Sequence, residues 1–91
     1  MERVREIRKS TRKDKKYMAI TNRGRTIHFG QRGYQQYKDS TPLKLYSAQD
    51  HMDPKRRQRY FERFSGVKTK AEALRKESKI TAKFLSHKYL W

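Results

Sequence analysis

The chain has 91 residues, with 25 Lys or Arg against 9 Asp or Glu and a formal charge of +16. That length limits it to one domain, and the absence of Cys removes disulfides, thiolate zinc sites and thiol nucleophiles. Few aliphatic residues with a high net charge is the composition of a disordered chain, but 12% aromatic residues is not, so a small folded unit with a thin core is expected. No apolar run approaches about 18 residues, and the N-terminal MERVREIRKSTRKDKK lacks the apolar stretch of a secretory signal. Neither a membrane span nor export by that route is expected.

Charge is spread over the whole chain. Residues 1–16 carry eight cations against three acids, and residues 65–91 carry seven against two. Residues 1–14 have Val4 and Ile7 as their only large aliphatic side chains and read as a basic, flexible arm. Residues 15–91 read as a single small α+β domain.

Within that domain, Tyr17–Ile20 and Thr26–Phe29 are β-branched and aromatic runs separated by Asn22-Arg23-Gly24-Arg25, which predicts a β-hairpin with Gly24 in its loop. Tyr17 and Ala19 fall on one face, Met18 and Ile20 on the other, and Ile27 shares a face with Phe29. Gly30-Gln31-Arg32-Gly33 breaks the second strand, and Tyr34 to Pro42 reads as loop. The alternation of Leu43 and Leu45 fits a short third strand or an anchor that returns the loop to the core.

Asp53-Pro54 starts a helix, because Asp at the cap satisfies free N–H groups and Pro at the first position wastes no donor. The helix is predicted to end near Phe64, before Gly66. At about 100° per residue, Lys55, Arg56, Arg59 and Arg63 share a basic face beside an aromatic face of Tyr60, Phe61 and Phe64, with Arg57 among the rings. Thr69-x-x-Glu72 predicts a second helix from Lys70 to about Lys79, and Thr81 caps a last helical segment. The ending Phe84-Leu85-Ser86-His87-Lys88-Tyr89-Leu90-Trp91 is apolar enough that it must dock, on its own chain or on a partner. The expected architecture is therefore the hairpin packed on the basic and aromatic helix, closed by the C-terminal segment.

Four ordered motifs carry a family resemblance: Thr26-Ile27-His28-Phe29-Gly30; Tyr34-x-x-Tyr37; Asp50-His51-x-Asp53-x-x-Arg56-Arg57-x-x-Tyr60-x-x-Arg63; and Thr81-Ala82-x-Phe84-Leu85-Ser86-x-x-x-Leu90-Trp91. Together they resemble a family of small basic proteins encoded by large double-stranded DNA viruses of eukaryotes, including those of algae and amoebae. The resemblance runs from Lys15 to Trp91 and departs from the commoner pattern in the insert from Tyr37 to Tyr46 and in stopping at Trp91. It implies a viral setting, in the virion, the viral factory or the infected nucleus. It implies no activity and no catalytic residues.

The basic helix face is the most informative feature. A solvated helix interleaves signs, whereas Lys55, Arg56, Arg59 and Arg63 repel one another unless something negative lies over them. Arg dominates the set and offers planar, bidentate contacts to phosphate. The expected function is non-enzymatic, largely sequence-independent nucleic-acid binding, to DNA rather than RNA, in genome packaging or organisation. The expected contacts are Lys55, Arg56, Arg59 and Arg63 along one phosphate track, Arg23, Arg25 and Arg32 on a neighbouring strand or groove, and Arg12, Lys15 and Lys16 on the arm side. Tyr34 and Tyr37 are candidate stacking platforms, while Tyr60, Phe61 and Phe64 at helical spacing read as core.

Two alternatives stand beside this reading. One is a structural cement that meets acidic capsid or core proteins, or an inner membrane, and assembles through Phe84–Trp91. The other is a metal-dependent nuclease with His51 as base and Asp50, Asp53 and Glu62 around magnesium. For the latter, helix capping accounts for the Asp and His residues at the helix start, and no cofactor or metal is expected.

Overall fold

Strand β2 (Lys15–Thr21) and strand β3 (Thr26–Gln31) form the expected hairpin in a computed structural model that describes residues 1–91. The register pairs Ile20 with Thr26 and Tyr17 with Phe29, and Gly24 takes φ 79° in the connecting loop. Tyr17, Ala19 and Thr21 are buried, whereas Met18 and Ile20, one residue out of phase, are half-buried. The Tyr17 and Phe29 rings meet across the hairpin with centroids 5.8 Å apart.

The N-terminal segment corrects the expectation of a flexible arm. Val4–Lys9 is an edge strand, β1, antiparallel to β2 in the sheet order β1-β2-β3. Val4 and Ile7 have opposite parity, which argues against a strand with one apolar face. A register shift between Val4 and Glu6 resolves this, placing Val4 opposite Thr21 and Ile7 opposite Ala19, both on the buried face. Both side chains pack against the core.

No third strand forms at Leu43 and Leu45. These residues are exposed, and the segment is tied down by polar groups. The buried Asp39 carboxylate accepts from the Thr41 N–H (3.0 Å), the Thr41 hydroxyl (2.6 Å), the Tyr46 N–H (3.1 Å) and the Tyr17 hydroxyl. Gln36 donates to the Tyr46 carbonyl (2.8 Å) and to Asp50 (2.7 Å), and a single helical turn follows at Ser47–Gln49.

Helix α1 (Pro54–Ser65) is capped by Asp53, whose side chain accepts from the N–H groups of Lys55 and Arg56, and it ends at Gly66 with φ 67°. Helix α2 (Lys70–Lys76) has the predicted Thr69–Glu72 capping pair but stops three residues early, at Glu77. Helix α3 (Ala82–Tyr89) is capped by Thr81.

The element that covers the sheet is α3, not α1 as the sequence suggested. Leu85 and Leu90 join Tyr17, Ala19 and Phe29 in one buried cluster, with Tyr46, Ile80, Phe84, Tyr89 and Trp91 packed around it. Helix α1 attaches to α3 instead, through rings. Trp91 stacks on Tyr60 at 4.2 Å and 5°, and buried Phe61 meets the edge of His87 at 5.3 Å. The apolar ending therefore docks on its own chain.

Candidate functional site

Between β3, the loop after it, α1 and α3 lies a partly open cleft of about 770 Å³. Helix α1 supplies one wall with Arg56, Arg59, Tyr60, Arg63 and Phe64. These are positions i, i+3, i+4, i+7 and i+8, the stripe that an ordinary amphipathic helix fills with apolar side chains and turns to the core. Here three of the five are Arg. Lys15 and Tyr34 enter from the sheet side, and Lys83 and Trp91 from the C-terminal side. No Asp or Glu lines the cleft.

The cations differ in how far they are already engaged. Arg56 donates to the Gln35 side chain at 2.7 Å, and Lys83 pairs with Glu77 at 3.3 Å. Arg59, Arg63 and Lys15 have no carboxylate partner, and the Arg63 guanidinium lies 5.6 Å from the Phe64 ring centroid. Phe64 is 50% exposed and Tyr34 66% exposed. Cations, rings and open space thus occur together.

Beneath the cleft the structure is held by buried polar groups. Lys16, expected among the nucleic-acid contacts, is 1% exposed and cannot serve as one. Its ammonium donates to the Tyr34 carbonyl at 2.6 Å and to the Gln36 side chain, and so fixes the loop that carries Tyr34. Burial lowers its pKa to about 8, against the opposing pull of Asp39 and Asp50. Burial raises the Tyr17 hydroxyl to about 12, reinforced by its bond to Asp39. For Asp39 burial alone acts upward, but the hydrogen bonds from Thr41, Tyr17 and Tyr46 outweigh it and hold the carboxyl below its ordinary range.

His87, for which the sequence suggested no role, is the post on which α1 hangs. It is fully buried, with Nδ1 2.8 Å from the Tyr60 hydroxyl and Nε2 2.8 Å from the Ser65 hydroxyl. Burial lowers the His87 pKa and raises that of Tyr60, so both groups are neutral at pH 7. Arg57 does stack among rings, 4.5 Å from the Tyr37 centroid, and donates to the Trp91 carbonyl at 2.9 Å.

The remaining site residues divide by position. Lys55 is exposed on α1 but outside the cleft, so the expected quartet is a trio facing inward and one outlier. Arg12 and Arg32 sit in exposed turns at the cleft end of the hairpin, Arg12 3.4 Å from Asp14 and Arg32 3.3 Å from the Lys13 carbonyl. Arg23 and Arg25 are at the opposite end, separated from Lys15 by the length of β2, about 20 Å at the usual rise. Arg25 is also spent, on Glu2 (2.8 Å) and the Ile80 carbonyl (2.9 Å). The hairpin tip and the cleft therefore do not form one surface.

The acids of the nuclease alternative are used elsewhere. Asp53 caps α1, Asp50 accepts from Gln36 and from the Asp39 N–H, and Glu62 accepts from Gln58. No group of three or more His, Asp or Glu comes together to hold a metal, and no helix is long and apolar enough to cross a membrane.

Residues 5–48 match a family described only as being of unknown function, DUF5754. The match covers the sheet and most of the following loop, including Lys15 and Tyr34, and leaves the arginine wall on α1 outside it. No curated protein and no solved structure matches the chain.

Proposed function

We propose that this protein is a non-enzymatic nucleic-acid-binding module that holds phosphates through the cleft face of α1. The observation that carries the reading is a concave surface lined by Arg56, Arg59 and Arg63 with no Asp or Glu. Such a set is unstable alone, since like charges in one concavity repel, and a phosphate backbone relieves it by bidentate contacts and counterion release. Lys55, Arg12 and Arg32 extend the positive field around the cleft. DNA is the expected polyanion, and the contacts carry no sequence code because they address the backbone. Genome organisation in a virion or viral factory is the setting, and it rests on the family resemblance alone.

Burial of Leu85 and Leu90 within the chain disfavours a cement that assembles through Phe84–Trp91. Filter binding to duplex DNA, duplex RNA and a single strand tests the function. With about six to ten phosphates neutralised, affinity falls roughly 10³- to 10⁵-fold between about 50 and 200 mM salt. Arg59→Glu with Arg63→Glu weakens all three nucleic acids. Absence of binding, or affinity indifferent to salt, sinks the proposal.

A further inference from the structure

We propose that the cleft takes an unpaired nucleobase, so that the protein prefers a single strand to a duplex. The inference rests on the nucleic-acid reading above and adds what part of the polymer enters. Phosphate binding uses the cations and leaves the rings unexplained. Phe64 and Tyr34 line the same cleft as Arg59, Arg63 and Lys15, and both expose half or more of their surface. A large exposed ring inside a concavity is a stacking platform, tolerant of sequence because every base has a π-face.

The dimensions agree. About 770 Å³ is within the range of pockets that enclose one small ligand, and a duplex is too wide to enter such a space. A base stacked on Phe64 or Tyr34 places its own phosphates beside Arg59 and Arg63, the two cations of α1 in the cleft that have no hydrogen-bond or ion-pair partner. The loop that presents Tyr34 is anchored from below by Lys16, so the platform is set before the strand arrives. Gln31, also in the lining, offers an amide to base edges without fixing which base.

The protein carries its own reporter. Trp91 is the single Trp of the chain, and it borders the cleft, so an inserted base quenches its emission. The experiment titrates the full chain with oligothymidylate, with an abasic deoxyribose-phosphate strand of equal length, and with duplex DNA, following Trp91 emission and anisotropy. Expected are quenching by oligothymidylate only and binding roughly ten-fold tighter than to the abasic strand.

Tyr34→Ala with Phe64→Leu, which removes both exposed rings but keeps an apolar side chain against Tyr60, brings the ratio of oligothymidylate to abasic affinity down to about one. Equal affinity for the abasic and base-bearing strands, or a preference that survives the double substitution, overturns the base pocket while phosphate binding stands. Failure of every strand to bind overturns both.

Discussion

Burying the ammonium of Lys16 costs desolvation that its neighbours only partly return, and the position of its pKa records the balance. The group titrates near 8 in the folded chain and near 10.5 when unfolded. Between those values the unfolded state binds more protons, so stability rises with pH across that window. Tyr17 acts with the opposite sign. Its pKa is raised from 10.0 to about 12, the folded state binds more protons in that interval, and stability falls as pH climbs through it. Urea midpoints are therefore expected to rise from pH 7 to about 10 and then turn over, the Lys16 contribution being up to about 2 kcal/mol. Lys70, also lowered by burial, adds to the rise with the same sign, so the diagnostic quantity is a difference between proteins. Lys16→Met, which keeps the buried stem, flattens the rise relative to the parent. Parallel pH curves for the two proteins contradict a buried, costly ammonium. The same residue shows how a site can be misread from sequence. Lys15 and Lys16 are adjacent and identical, but only Lys16 faces the covering loop, and nothing local distinguishes them.

At the scale of elements, Gly30 joins the sheet to the cleft. It takes φ 78° opposite Lys16, and a Cβ there would stand 2.9 Å from Leu90 Cδ1 and 3.1 Å from Lys16 Cβ. Gly24 at the hairpin tip has nearly the same φ, 79°, with nothing within 4 Å of its would-be Cβ. Ala at either position carries the left-handed penalty of about 1–2 kcal/mol. Only Gly30→Ala adds a displacement of Leu90 and the Lys16 stem. Thermal unfolding of the two variants is expected to show the larger loss for Gly30→Ala, and equal losses contradict the close packing of α3 on β3. The hairpin and the three helix caps were legible because each depends on neighbouring residues: Asp53 before Pro54, Thr69 before Glu72, Gly24 between two β-branched runs. Strand β1 was not, because the bulge that reconciles Val4 with Ile7 is created by pairing with β2. The partner of the sheet was not legible either. Helix α1 has the stronger aromatic stripe, but its rings Tyr60 and Phe61 are claimed by Trp91 and His87, residues about 30 positions further along the chain. In the candidate site, the basic face of α1 was visible as a one-sided set. That it lines a cleft with Tyr34 and Phe64, at the far end of the hairpin from Arg23 and Arg25, is a tertiary fact.

The whole molecule is thin for its charge. Seven apolar residues are fully buried, the extents are 35 × 30 × 19 Å, and +16 is distributed over every segment. The four ion pairs are exposed or partly exposed and contribute little each. With a screening length of about 10 Å at 0.1 M salt, many like charges on so narrow a body still sense one another, so self-repulsion opposes folding at low ionic strength. Added NaCl is therefore expected to raise the Tm of the free protein. Bound nucleic acid supplies the same relief in a local form. At a ligand concentration about 100 times Kd, binding stabilises by about 2.7 kcal/mol, and each kcal/mol moves Tm by roughly 4–8 °C for a domain of this size. Salt weakens that binding as counterion release loses its advantage, so the Tm of the complex falls while that of the free protein rises. The two melting curves, measured with and without a single strand over a salt series, are expected to converge from opposite directions. A separation between them that persists unchanged at high salt means the partner is held by contacts other than phosphate. A free-protein Tm that declines with salt means the positive charge is already neutralised within the fold, and the arginine wall of the cleft is not a strained surface.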